Sequence, residues 1–398
     1  MDVHTPRTLT RSILALAAMA PALVAQGDKP TTFGAADGTV SFKPGAGTTF
    51  DGGDEFKLTF LTYVQLQYNT TWGDDVDNDQ DFRVRRARPA FFGHAFRKDL
   101  LYTLRLDLTD SGSVLKDAWV QWDFVRDEDK RIGLRTGQSK TYFGLETTET
   151  DAALFFVDRT VVSTTFSDAR SRGVWLQGNH ESKLRWNVGA QNGDVAASNP
   201  GGVQDVGEED DNSDNELSYV ASVNLDPLGD YVGNGASYET FREGDLANAQ
   251  ELRGTVGLGL FQGNSKLVTD PDGRDVTSNS INLNTSWKLK SFWTQAEWFQ
   301  RHDDIETGDR DGNGFYLGLG YVLPKSGESP LQWGLGGRIA DVDQEGGPDT
   351  RDWTMALSAF HRGHALKTQL EYTWRDQEPA GGGSQDGSIL RVQFQVMF

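Results

Sequence analysis

The chain has 398 residues, room for one large domain or two ordinary ones, and a net charge of −20. That acidity excludes a nucleic-acid binder, which needs a basic face. The absence of cysteine excludes disulfides and thiolate metal sites.

Arg7 and Arg11 precede the apolar run Ile13–Ala20, followed by Pro21 and small residues up to Ala25. Charge, short apolar run and small residues in that order predict a secretory signal peptide over residues 1–25. Residues 26–55 then form an N-terminal periplasmic segment. No later stretch approaches the ~18 continuous apolar residues of a membrane helix. A membrane-spanning reading therefore requires a closed barrel.

From residue 56 the pattern has period two. Phe56, Leu58, Phe60, Val64, Leu66 and Tyr68 share one face, against Lys57, Thr59, Gln65 and Gln67. Tyr102, Leu104, Leu106 and Leu108 oppose Thr103, Arg105 and Asp107. Ala118, Val120, Trp122 and Phe124 oppose Asp117, Gln121 and Asp123. The same alternation recurs around Trp186, Leu283 and Tyr372 and ends at SILRVQFQVMF, whose last residue is Phe398. Such segments suit tilted strands with one lipid-compatible face and one wet face. Connectors alternate between short (Arg97–Asp99, Glu181–Lys183) and long, acidic ones (Gly193–Asp214, Gln300–Gly312), as in outer-membrane barrels. The expected fold is an all-β, transmembrane antiparallel barrel over residues 56–398 with about sixteen strands, eighteen being the alternative. Within residues 226–276 both Asn234–Thr240 and Glu251–Phe261 look strand-like, and an even count allows only one of them.

The stretch DFRVRRARPAFFGHAF poses a conflict. At strict period two, Arg86 and Arg88 would follow Phe82 and Val84 onto the lipid face, where a mid-depth arginine costs ~2–4 kcal/mol. A β-bulge at Arg85–Arg86 removes the conflict. It brings Arg83, Arg85 or Arg86, and Arg88 to the lumen and turns Ala87 and Phe91 outward. An arginine snorkelling from a strand end is the alternative.

RRARP (Arg85–Pro89), KDAWV (Lys116–Val120), GQSKTYFGLE (Gly137–Glu146), FVDR (Phe156–Arg159), RSRGV (Arg170–Val174) and GAQNGD (Gly189–Asp194) occur in that order. With VSFKPGAGTTFDGGDEFKL ahead of the first strand, the chain resembles the phosphate-selective porin O/P family. The resemblance implies a sixteen-stranded, water-filled barrel, commonly trimeric, with a basic anion path and a loop folded inward to narrow it. Here that loop is Ser139–Ser171. Its apolar segment, with Leu154, Phe155, Phe156 and Val157, needs an interior to pack on. The expected inward basic residues are Arg83, Arg85, Arg88, Arg105, Arg135 and Arg185, with Lys140 and Arg159 as further candidates. Asp107, Asp117, Asp123 and Glu371 share the inner face, so the arginines serve either an anion path or cross-strand ion pairs.

Asp309, Asp311, Asn313 and Gly314 match the start of an EF-hand calcium loop, but Gly320 stands where the glutamate is required. A solvated acidic loop is the better reading, and calcium bridging lipopolysaccharide the weaker. No Ser–His–Asp grouping can be assigned, so neither an enzyme nor a cofactor is expected. Three functions remain: a passive porin for small, phosphate-like anions; a general or sugar-selective porin; or a structural or adhesive barrel. The expected partners are outer-membrane lipid, lipopolysaccharide, small anions, two further copies in a homotrimer, and the barrel assembly machinery acting on Phe398.

Overall fold

The computed structural model describes residues 31–35, 38–73, 78–109, 114–167, 170–181, 183–192, 216–229, 231, 242–266, 275–305, 308–325, 327, 329, 331–380 and 382–398. The expected signal peptide, the strand candidate Asn234–Thr240 and the acidic connector Gly193–Asp214 lie outside the described residues.

Three short strands come first: β1 (Thr31–Ala35), β2 (Gly38–Lys43) and β3 (Gly47–Asp51). The wall follows as β4 (Phe56–Gly73), β5 (Asp79–Ala95), β6 (Leu100–Leu106), β7 (Leu115–Arg126), β8 (Lys130–Lys140), β9 (Arg170–His180), β10 (Leu184–Asn192) and β11 (Leu217–Leu225). It continues through β12 (Arg253–Lys266), β13 (Asp275–Leu289), β14 (Phe292–Ile305), β15 (Arg310–Val322), β16 (Gln332–Gln344), β17 (Asp349–His364), β18 (Leu366–Glu378) and β19 (Gln385–Met397). Each wall strand pairs antiparallel with the next, and β19 pairs with β4 to close sixteen strands into a ring. Closure leaves no unpaired end strand in the ring, so the ladders satisfy their own backbone polar groups. Glu251–Phe261 is thus the wall segment of the ambiguous stretch, observed as β12.

The seam explains the terminal aromatic. Phe398 and Thr62 exchange two backbone hydrogen bonds of 2.8 Å, the last rung between β19 and β4. Below that rung the edge of β4 is taken by β3, with Thr48–Asp51 opposite Phe60–Lys57. The N-terminal hairpin therefore carries the sheet past the end of the chain.

Side-chain alternation holds around the ring. Val84, Leu283, Leu335 and Met355 are exposed on the outer face, while Gln65, Asn187, Asn282 and Gln369 are fully buried on the inner one. Aromatic pairs line the outer surface, among them Trp353 stacked on Trp374 at 4.6 Å and Trp72 near Tyr372 at 6.1 Å. Such rings suit a membrane–water boundary.

The connection from β8 to β9 does not stay at the rim. It begins after Lys140, two residues later than expected, and turns inward through the short helices Leu145–Thr148 and Val161–Phe166. Thr160 caps the second helix by accepting from the Ser163 backbone N–H at 3.0 Å. A second inward piece comes from the opposite end. In the β11–β12 connection Glu243 and Asp245 are buried, and the Glu243 N–H donates to the Ala153 carbonyl at 3.2 Å. Among the described residues no helix is long and apolar enough to cross a membrane.

Candidate functional site

A loop inside a barrel carries backbone groups that water no longer serves. The inner face supplies them with partners. Glu297 accepts from the Leu145 and Glu146 N–H groups at 2.7 Å each. Glu371 accepts from Val157 at 2.8 Å, and Glu243 from Phe155 at 2.5 Å. In the other direction Lys367 donates to the Leu154 carbonyl at 2.6 Å, Gln369 to Phe155 at 2.7 Å and Gln395 to Ala152 at 2.9 Å. The polar inner face, read from the sequence as pore lining, is here largely a cradle for the loop.

The aromatic part of the loop occupies a trough. Leu154, Phe155, Phe156 and Val157 are fully buried. Phe155 lies against Trp293 at 5.7 Å and Phe360 at 5.8 Å. Glycines on β16 make the room: a Cβ on Gly334 or Gly336 would stand 2.9 or 2.6 Å from the Phe155 ring. On β15 a Cβ on Gly314 would stand 2.6 Å from Phe166. The alternating glycines of GNGFYLGLG and WGLGG were the available signal for this trough, and sequence reasoning passed over them.

The bulge sits where expected. Gln65 faces Arg86 and Leu66 faces Val84, which leaves Arg85 as the extra residue. Arg83 donates to Gln67 at 3.0 Å. Arg85 and Arg86 reach Asp158 of the loop at 3.3 and 3.1 Å, and Arg86 stands 3.5 Å from Asp151. Arg88 bonds Asp107 at 2.6 Å and also meets Asp151, as does Arg159 from within the loop. Burial opposes ionisation of Asp151, yet Arg159, Arg86 and Arg88 hold its carboxyl well below the usual carboxylate range. Burial likewise opposes ionisation of Asp158, and Arg86 and Arg85 lower it. This ionic clamp fastens the loop to β5. Its central acid, Asp151, was not singled out by the sequence reading.

The other expected basic residues are spread over β6 to β10. Arg105 and Arg170 each bond Asp117 at 2.8 Å, and Arg185 bonds Asp226 at 2.7 Å. The Arg135 guanidinium lies 3.7 Å over the Trp119 ring and donates to Gln121 and Ser139 at 3.0 and 3.1 Å. Lys140 donates to the Thr148 and Glu149 carbonyls at 2.9 and 2.5 Å.

Between the loop and the wall from β4 to β10 lies a cavity of about 790 Å³ that reaches down to the short-turn end. Among the described residues its lining holds ten arginine and lysine side chains against one carboxylate, that of Asp51. Arg88, Arg105, Arg135, Lys140 and Arg185 belong to it; Arg83, Arg85 and Arg159 do not. Lys57, on the wet face of β4 by alternation, joins it, as do Lys98, Arg126, Arg131 and Arg242 from strand ends and turns, where periodicity says nothing about facing. Low-dielectric walls around such a lining concentrate anions.

Where the loop meets the β11–β12 connection, charge of the other sign is buried. Burial, with Glu243 nearby, pushes the Glu149 carboxyl well up, and burial with Glu146 brings Glu243 to about 7. The calcium-loop reading of Asp309, Asp311 and Asn313 does not take shape. Asp311 and Asn313 lie on extended β15, and Asp311 is engaged by His302 at 2.8 Å.

A family model described as "Phosphate-selective porin O and P" matches residues 60–398. Among curated protein sequences none matches significantly. Solved structures of similar fold include the outer membrane channel DcaP of Acinetobacter baumannii, at TM-score 0.56 and 13% identity over 87% of this chain and 100% of that one. The anion-selective porin from Comamonas acidovorans follows at TM-score 0.54 and 12% identity, over 85% of this chain and 99% of that one. OmpT of Vibrio cholerae gives TM-score 0.54 at 12% identity over 86% and 97%.

Proposed function

Because the chain belongs to the phosphate-selective porin O and P family, we propose that it is an outer-membrane porin through which small anions diffuse passively. The observation that carries this reading is the basic cavity, where among the described residues ten cationic side chains and one carboxylate line the path between loop and wall. Cations in a narrow water column raise the local anion concentration, and a path of several weak sites lets the ion leave. No step of bond chemistry is needed; the barrel is a channel, and the work is done by the gradient.

The short turns face the periplasm and the acidic loops the exterior, with residues 1–25 acting as the export signal. The alternation of turn and loop lengths supports that orientation. The family resemblance supports a homotrimer, and the terminal Phe398 on the last rung fits an assembly signal. Lipopolysaccharide would meet the acidic loop end.

One observation favours a second reading, a general diffusion porin. Asp107, Asp117 and Asp226 stand behind Arg88, Arg105 and Arg185 and reduce their field. The reversal potential of single channels in a chloride gradient decides. Anion preference is the expected result. An unselective pore supports the second reading, and a folded barrel without conductance removes both.

A further inference from the structure

The wet face of a porin strand should be polar. On β4, β5 and β6 three of its positions are not. Leu61, Phe92 and Leu101 point into the basic cavity and remain partly exposed there.

Register brings them together. Leu61 pairs with Ala90, which pairs with Arg105. One rung lower, Thr59, Phe92 and Thr103 stand side by side. The next rung holds Lys57, His94 and Leu101, and Leu101 faces Gln121 of β7. Neighbouring strands are about 4.8 Å apart, so the apolar patch spans roughly 10 Å. Charge bounds it on both sides, Arg105 above and Lys57 below. Across the cavity the loop presents Ala152 and Ala153, small and apolar.

Inorganic phosphate gains nothing from such a patch. A hydrocarbon body attached to an anionic head gains on both counts, and the cavity volume falls within the usual range for small-molecule sites. We propose that this cavity holds a binding subsite for organic carboxylates with a short hydrocarbon body, the body lying on Leu61, Phe92 and Leu101 and the head held in the surrounding positive field. The proposal takes its route of entry from the porin reading, but binding itself does not depend on conduction.

A fully buried methylene changes affinity roughly fourfold, and one-sided contact about twofold. Hexanoate exceeds acetate by four carbons, so it should bind on the order of fifteenfold more tightly. Calorimetry on the full-length barrel in lipid nanodiscs reads this directly, with empty nanodiscs as the blank. Phe92→Ser, and separately Leu101→Ser, should bring the two acids within about threefold of each other. Heat-modifiable migration verifies that each variant is folded, and chloride conductance is recorded in parallel. Equal binding of hexanoate and acetate by the parent barrel overturns the proposal. So does a hexanoate preference that survives in both variants, or that of the one variant that folds. A preference without chloride conductance leaves the subsite standing and removes the porin reading; conductance without the preference does the reverse.

Discussion

Replacing Phe155 by alanine tests the docked loop directly. The ring is fully buried, faces Trp293 and Phe360, and fills space that Gly334 and Gly336 leave open. Truncating a buried phenylalanine costs about 3–5 kcal/mol, because transfer and cavity terms add. The sixteen ladders of the wall do not depend on this ring, so the loss falls on docking. The backbone bonds from Phe155 to Glu243 and Gln369 are open to alanine as well, which confines the change to packing. An opening equilibrium shifted by that amount rises roughly a hundred- to several-thousandfold. The chain has no cysteine, so Val157→Cys places a unique thiol at a fully buried loop position. Maleimide labelling of Cys at 157 should accelerate by that factor in the Phe155→Ala background, and single-channel conductance should rise while heat-modifiable migration is kept. Labelling within about threefold of the parent, in a folded barrel, would refute the claim that aromatic packing in the glycine trough holds the loop.

Gly336→Leu attacks the same contact from the wall, since its Cβ would stand 2.6 Å from the Phe155 ring. The expected outcome is a displaced loop and raised conductance in an intact barrel, and parental conductance would count against it. Arg105→Gln with Arg135→Gln should move the chloride reversal potential toward cation preference more than Arg83→Gln with Arg85→Gln, because only the first pair lines the cavity. An equal or larger shift from the second pair would place the selective region above the loop. The raised carboxyls of Glu149 and Glu243 give a pH prediction: the docked loop binds more protons than the released one between the ordinary 4.5 and about 7. Docking from this source is therefore strongest below that window and weakens as pH rises through about 7. Asp151 and Asp158, held low, weaken docking only when pH falls well below the ordinary carboxylate range. Labelling at position 157, normalised to a surface cysteine, should thus quicken from pH 5 to 8, and Glu149→Gln with Glu243→Gln should flatten the profile; a double variant with the parental profile would show the pair is not responsible.

Much of this protein could be read from local pattern. Period-two alternation placed the wall strands because lipid on one side and a wet interior on the other leave each residue one choice of face. The cost of arginine in hydrocarbon placed the bulge at Arg85, since no straight strand could keep Arg86 and Arg88 inside with Val84 outside. The apolar run Leu154–Val157 announced a loop that must fold inward. What the inward face does was not local. A lumen side chain that touches water and one that cradles a loop share the same alternation, so the wet face around Tyr372, with Lys367, Gln369 and Glu371, reads as pore lining until the loop backbone stands beside it. The arginines divided in the same way. Arg85, Arg86 and Arg88 face Asp151 and Asp158, which lie more than sixty residues later in the chain, while Arg105, Arg135 and Arg185 gather around one cavity only when the ring closes. Facing is a property of two consecutive residues; partnership across a lumen depends on register summed over many strands and on where a loop comes to rest, and the folded barrel decides both.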